Sequence, residues 1–86
     1  MPEISRFFGI VIAMYYRDHE PPHFHVRYAG RAATVGIRPV AVLGGSIPPR
    51  VFGLVSEWAL IHEAELAADW ERARRGEGLI PIAPLE

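Results

Sequence analysis

The chain has 86 residues, half of them hydrophobic, with no cysteine and a formal net charge of −1. A chain of this length makes one domain, residues 1–86, around one compact core. The lack of cysteine excludes disulfides and thiolate metal sites, and the near-zero charge excludes a general electrostatic pull on nucleic acid.

The opening shows no charged-then-apolar leader, and the longest apolar run, Phe7 to Tyr16, is too short to cross a bilayer. A soluble, cytoplasmic protein with no membrane partner is expected. That run is rich in β-branched and aromatic residues and reads as a strand, with Ile10, Ile12 and Met14 on its heavier side. Asp18 to Pro22 reads as a turn, because paired prolines cannot donate to a sheet ladder. A second strand follows from His23 to Tyr28, Ala29-Gly30 turns, a third runs from Ala32 to Ile37, and a shorter fourth lies around Val40 to Leu43. The connections are too short for parallel crossovers, so the strands form an antiparallel meander over about residues 5–47.

Pro48-Pro49 opens a helix over about 49–75, with proline suited to its first turn and Gly76 to its end. Steps of 100° place Val51, Leu54, Val55, Trp58, Ala59 and Leu66 on one docking arc. His62, Glu65 and Asp69 share that stripe, and burial would require Glu65 or Asp69 to meet an arginine. Residues 77–86 form a proline-rich apolar tail that packs across the sheet edge or docks on a second copy. The fold class expected is α+β: a three- to four-stranded antiparallel β-meander with one long C-terminal helix packed on one face.

Three of the four histidines lie in His19-Glu-Pro-Pro-His-Phe-His25. Alternation along a strand sends Phe24, Val26 and Tyr28 to one side and His23, His25 and Arg27 to the other. The polar side admits three readings. As a binding face it offers Tyr15, Arg17, His19 and Arg38 beside His23, His25 and Arg27, with arginine and tyrosine suited to an acidic partner surface. As a catalytic face, His23 and His25 would move protons near neutral pH and Arg27 would neutralise a phosphate, the requirements of metal-independent RNA cleavage. As a metal site, His19, His23 and His25 would ligate zinc or nickel, with Asp18 or Glu20 as further donors from the turn. Composition alone leaves open whether the chain is an enzyme.

The opening Met-Pro-Glu-Ile-Ser-Arg-Phe-Phe-Gly-Ile-Val-Ile-Ala-Met-Tyr-Tyr, the block Asp18-His-Glu-Pro-Pro-His-Phe-His-Val26, and Leu54-Val55-x-x-Trp58 followed by Glu65-Leu66 and Trp70 resemble the bacterial and archaeal family called domain of unknown function 4160. The resemblance covers nearly the whole chain. It implies a small cytoplasmic protein often encoded beside a member of the family called domain of unknown function 2442, an arrangement that suggests a toxin–antitoxin pair. It supplies no catalytic residues. The function expected is therefore that of one component of a two-protein module, acting by specific binding through the His/Arg/Tyr face. The partner would be the neighbouring gene's small protein, with RNA or a second copy of this chain as other partners. A ribonuclease toxin using His23, His25 and Arg27, or a His-ligated metal-binding protein, are the alternatives.

Overall fold

A computed structural model describes residues 2–86. Five strands, β1 (Glu3–Phe7), β2 (Ile10–Ala13), β3 (His23–Tyr28), β4 (Arg31–Gly36) and β5 (Val42–Gly45), are followed by α1 (Pro49–Ile61) and α2 (Glu63–Arg74). The sheet order is β1-β2-β3-β4-β5, and every neighbouring pair is antiparallel. The α+β meander is thus as expected, with one strand more.

The additional strand comes from the run Phe7 to Tyr16, which is a hairpin rather than a single strand. Phe8 and Gly9 have φ of 51° and 78°, the pair of positive values that a two-residue type I′ turn requires. Ala29 and Gly30, at 49° and 78°, repeat the device between β3 and β4. The last strand begins two residues later than the reading around Val40. Arg38–Pro39 lies in the connection, which Gly36 closes by donating its N–H to the Ala41 carbonyl (2.9 Å).

The expected single helix over 49–75 is also two. His62 leaves the helical region (φ −110°, ψ 27°), yet its N–H still reaches the Trp58 carbonyl and its carbonyl still accepts from Leu66. The bend leaves both halves facing the core, α1 through Val51, Val55, Trp58 and Ala59 and α2 through Leu66, Trp70 and Ala73. Glu63 and Glu65 occupy the first turn of α2, where carboxylates favour a helix start.

The helices cover the sheet face carrying Ile12, Phe24, Val26 and Val35, all fully buried. The Trp58 ring lies 5.5 Å from Phe7 and 5.8 Å from Phe24. Leu60 projects away from the sheet and is exposed, as its place on the helix requires.

The tail crosses the sheet edge. Ile82 is buried and donates its N–H to the Ile4 carbonyl on the outer edge of β1 (2.8 Å). The Trp58 indole donates to the Ala83 carbonyl (2.9 Å). Asp69, 1% exposed, accepts from the Ile80 N–H (2.9 Å) and from Arg72 (3.0 Å) through one oxygen. The arginine partner of Asp69 follows from burial, and its hold on the tail is an addition to it. Among the described residues, no helix is long and apolar enough to cross a membrane.

Candidate functional site

The site is built by the irregular segment between β2 and β3. Met14 donates its N–H to the Pro2 carbonyl, and Arg17, at φ 54°, donates its N–H to the Ala73 carbonyl near the end of α2 (3.1 Å). The chain then returns through Asp18–Pro22, where the Glu20–Pro21 peptide is cis, and enters β3 with Asp18 beside the first residues of that strand. Phe24 and Val26 enter the core, while His25 and Arg27 belong to the other face, opposite Ala13 and Val11 of β2 and Thr34 and Ala32 of β4. His23 shares that side of the strand but is only 2% exposed, with the Trp70 ring 5.0 Å away.

One carboxylate organises the cluster. Asp18 Oδ2 lies 2.8 Å from His23 Nε2 and 3.2 Å from His25 Nε2, while Oδ1 accepts from the His19 N–H (2.9 Å). His23 Nδ1 donates to the Pro21 carbonyl (2.7 Å). The His25 ring meets Tyr15 edge-on, with centroids 4.3 Å apart. Burial pushes the Asp18 carboxyl up, but the bonds from His25, the His19 N–H and His23, with the charge of His23, outweigh it and hold the group at about 2, against 3.8 ordinarily.

The residues singled out from sequence divide accordingly. His23, His25 and Tyr15 come together. The His19 side chain is 86% exposed, with Nδ1 on the Glu20 carbonyl and Nε2 3.7 Å from Asp18 Oδ1. Arg27 lies two residues along β3 on the same face as His25. Arg17 does not join them: its guanidinium lies over Gly76 beyond the end of α2. Arg38 pairs with Glu63 at the start of α2 (3.2 Å). Of the turn donors, Asp18 occupies the cluster, whereas Glu20 meets Arg74 (3.4 Å).

Shallow grooves mark the open face. One of about 310 Å³ is lined by Tyr15, His25, Arg27, Thr34 and Gly44. Beside it, a groove of about 490 Å³ is lined by Arg6, Val11, Arg27, Arg31 and Ala32. A third, of about 310 Å³, runs past His19, Pro21, His23 and Leu43 and shares Thr34 and Gly44 with the first.

A family model described as a domain of unknown function (DUF4160) matches residues 9–71. The chain belongs to this family. The DUF4160 span takes in β2 to β5 and the whole Asp18–His23–His25 cluster with Tyr15 and Arg27. It ends before the tail, within α2, and leaves out β1 altogether. No curated protein and no solved structure matches the chain.

Sequence reasoning placed His19 among the three leading ligands and Asp18 behind it. The available signal was the carboxylate's position five residues before His23, across two prolines that fold the segment back. Arg6 was missed as a member of the open face; it lies next to the first hairpin, and Gly9 was the clue to that turn.

Proposed function

We propose that this chain is a binding module that engages an acidic surface on a partner protein through the open face of its sheet. The observation that carries the reading is the cross-strand row Arg6, Val11, Arg27 and Ala32, set by the register of β1 to β4. The helices cover the opposite face, so guanidinium groups flank a groove whose floor is made of small apolar side chains. Arginine beside apolar surface is the composition of residues that dominate interface energy. Arg6 is held by Glu3 through two contacts of 2.8 and 3.0 Å; a partner carboxylate would extend that pairing. A protein partner suits the net charge of −1 better than a nucleic acid, whose affinity rests on counterion release by many cations.

The partner that fits the family resemblance is the small protein encoded beside such chains in bacteria and archaea. In a toxin–antitoxin arrangement the two members must hold each other, so the binding face serves whichever role this chain has. RNA cleavage by His23, His25 and Arg27 draws less support. It needs two imidazoles presented to one phosphate, whereas both Nε2 atoms turn toward one Asp18 oxygen and His23 is buried.

Co-expression with the neighbouring gene's product tests the proposal. The two should co-purify, and Arg27→Glu should weaken the complex at least about 10-fold, some 1.4 kcal/mol, more at low than at high salt. Co-purification undiminished by Arg27→Glu, or RNA recovered in place of the protein, overturns it.

A further inference from the structure

We infer that Asp18, His23 and His25 form a site for a divalent transition-metal ion of the zinc class, bound by two imidazole nitrogens and one carboxylate with further positions open to solvent. Asp18 Oδ2, His23 Nε2 and His25 Nε2 converge, and one donor atom from each residue lies within 4.8 Å of the others. Metal–ligand bonds of about 2.0–2.2 Å at tetrahedral or right angles separate neighbouring donors by about 3.0–3.5 Å. The observed 2.8 and 3.2 Å from Asp18 to the two histidines are close to that spacing before any adjustment.

The hydrogen-bond logic points the same way. A carbonyl oxygen only accepts, so the Pro21 contact places a proton on His23 Nδ1. His23 Nε2 therefore meets the Asp18 carboxylate either through a second ring proton or through a cation held between them. His25 presents its own Nε2 to the same oxygen. Acceptor atoms converge in this way only with protons or a cation among them, and one divalent ion satisfies all three at once. Imidazole and carboxylate together suit zinc, nickel or ferrous iron, and two histidines with one carboxylate is a set that leaves room for an exogenous ligand.

Each donor is also aimed by a second contact. The Pro21 carbonyl fixes the tautomer and ring of His23, the His19 N–H holds the second Asp18 oxygen, and Tyr15 backs the His25 ring. Such outer contacts are the usual support of metal-ligating side chains. Trp70 closes the buried side at 5.0 Å from His23. Asp18 and His25, with side chains 18% and 26% exposed, leave the other side open toward Thr34, where two grooves meet. His19, which led the sequence reading with His23 and His25, stays at the exposed rim on the Asp18 Oδ1 side, and Asp18 takes its place in the donor set.

The inference does not depend on the partner reading, since the site lies within the isolated chain. Calorimetric titration of the untagged protein with Zn²⁺, and of a parallel sample with Co²⁺ followed by visible absorption, tests it. One ion should bind per chain, and cobalt should show ligand-field bands of nitrogen–oxygen coordination. Asp18→Asn and His25→Ala should each weaken zinc binding by more than the 10–100-fold that loss of an outer-shell partner costs, or about 100-fold and beyond. His62→Ala, which removes a histidine–carboxylate pair outside the cluster, should leave it unchanged. If Asp18→Asn fails to fold by circular dichroism, His25→Gln, at a partly exposed position, decides. Absence of stoichiometric zinc, binding indifferent to both His25 variants, or loss of binding in His62→Ala overturns the inference.

Discussion

Two adjacent glycines in β5 should respond to the same substitution with opposite signs. Gly44 faces Thr34 across the ladder, and a Cβ built there meets no atom within 4 Å. Gly45, at φ +71°, would place its Cβ 2.3 Å from the Ala32 carbonyl oxygen and 3.0 Å from the Ala33 Cα. Gly44→Ala removes the entropy cost of glycine in a strand, a gain of about 0.5–1 kcal/mol. Gly45→Ala makes the same gain but is opposed by about 1–2 kcal/mol for a left-handed alanine and about 1–3 kcal/mol for crowding against backbone that cannot swing aside. The net loss is about 1–4.5 kcal/mol. For a domain of this size the melting temperature should rise by roughly 2–8 °C in the first variant and fall by roughly 4–36 °C in the second. Thermal unfolding followed by far-ultraviolet circular dichroism, with urea titration as a check on the slope, measures both. Gly45→Ala melting within 2 °C of the parent, or Gly44→Ala falling with it, would refute the placement of β5 against β4.

Asp69→Ala should lower stability by about 2–3 kcal/mol in urea titrations, because the Ile80 N–H and Arg72 lose a charged acceptor that is 1% exposed. Proteolysis within residues 77–86 should quicken, and a change under about 0.5 kcal/mol would deny Asp69 its hold on the tail. In chelator-treated protein, Asp18→Asn should cost about 2 kcal/mol at neutral pH, the worth of a carboxyl held at about 2 rather than 3.8. A folded-state value below the unfolded one gives stability that is present above about pH 4 and lost as pH falls through about 2. The gap between parent and variant should therefore close on acidification, and a gap independent of pH would count against the carboxylate cluster.

Period-two alternation was enough to sort β3, because Phe24 and Val26 lie opposite His25 and Arg27 on a strand paired on both sides. It failed where it was carried past the end of a strand. Arg17 and Arg38 were placed on the open face by counting in twos, but Arg17 turns at positive φ toward α2 and Arg38 lies beyond β4 in the connection. The hairpin at Phe8–Gly9 was obscured because an apolar residue occupies its exposed turn, so hydrophobicity ran on unbroken and only the glycine marked the reversal. The burial of His23 is tertiary in origin: Trp70, 47 residues later in the chain, closes over it. The bend at His62 carries neither proline nor glycine, and its only local trace is the carboxylate pair that opens α2.

The bond between Ile82 and Ile4 joins residues 78 positions apart, whereas every strand pairs with its neighbour in sequence. During synthesis on the ribosome the five strands can zip in order as they emerge, but the outer edge of β1 stays bare until residue 82 has been made. A nascent chain thus carries a strand-pairing template for most of its translation, and a binder that arrives early meets an edge that the finished fold covers with the tail at Ile4.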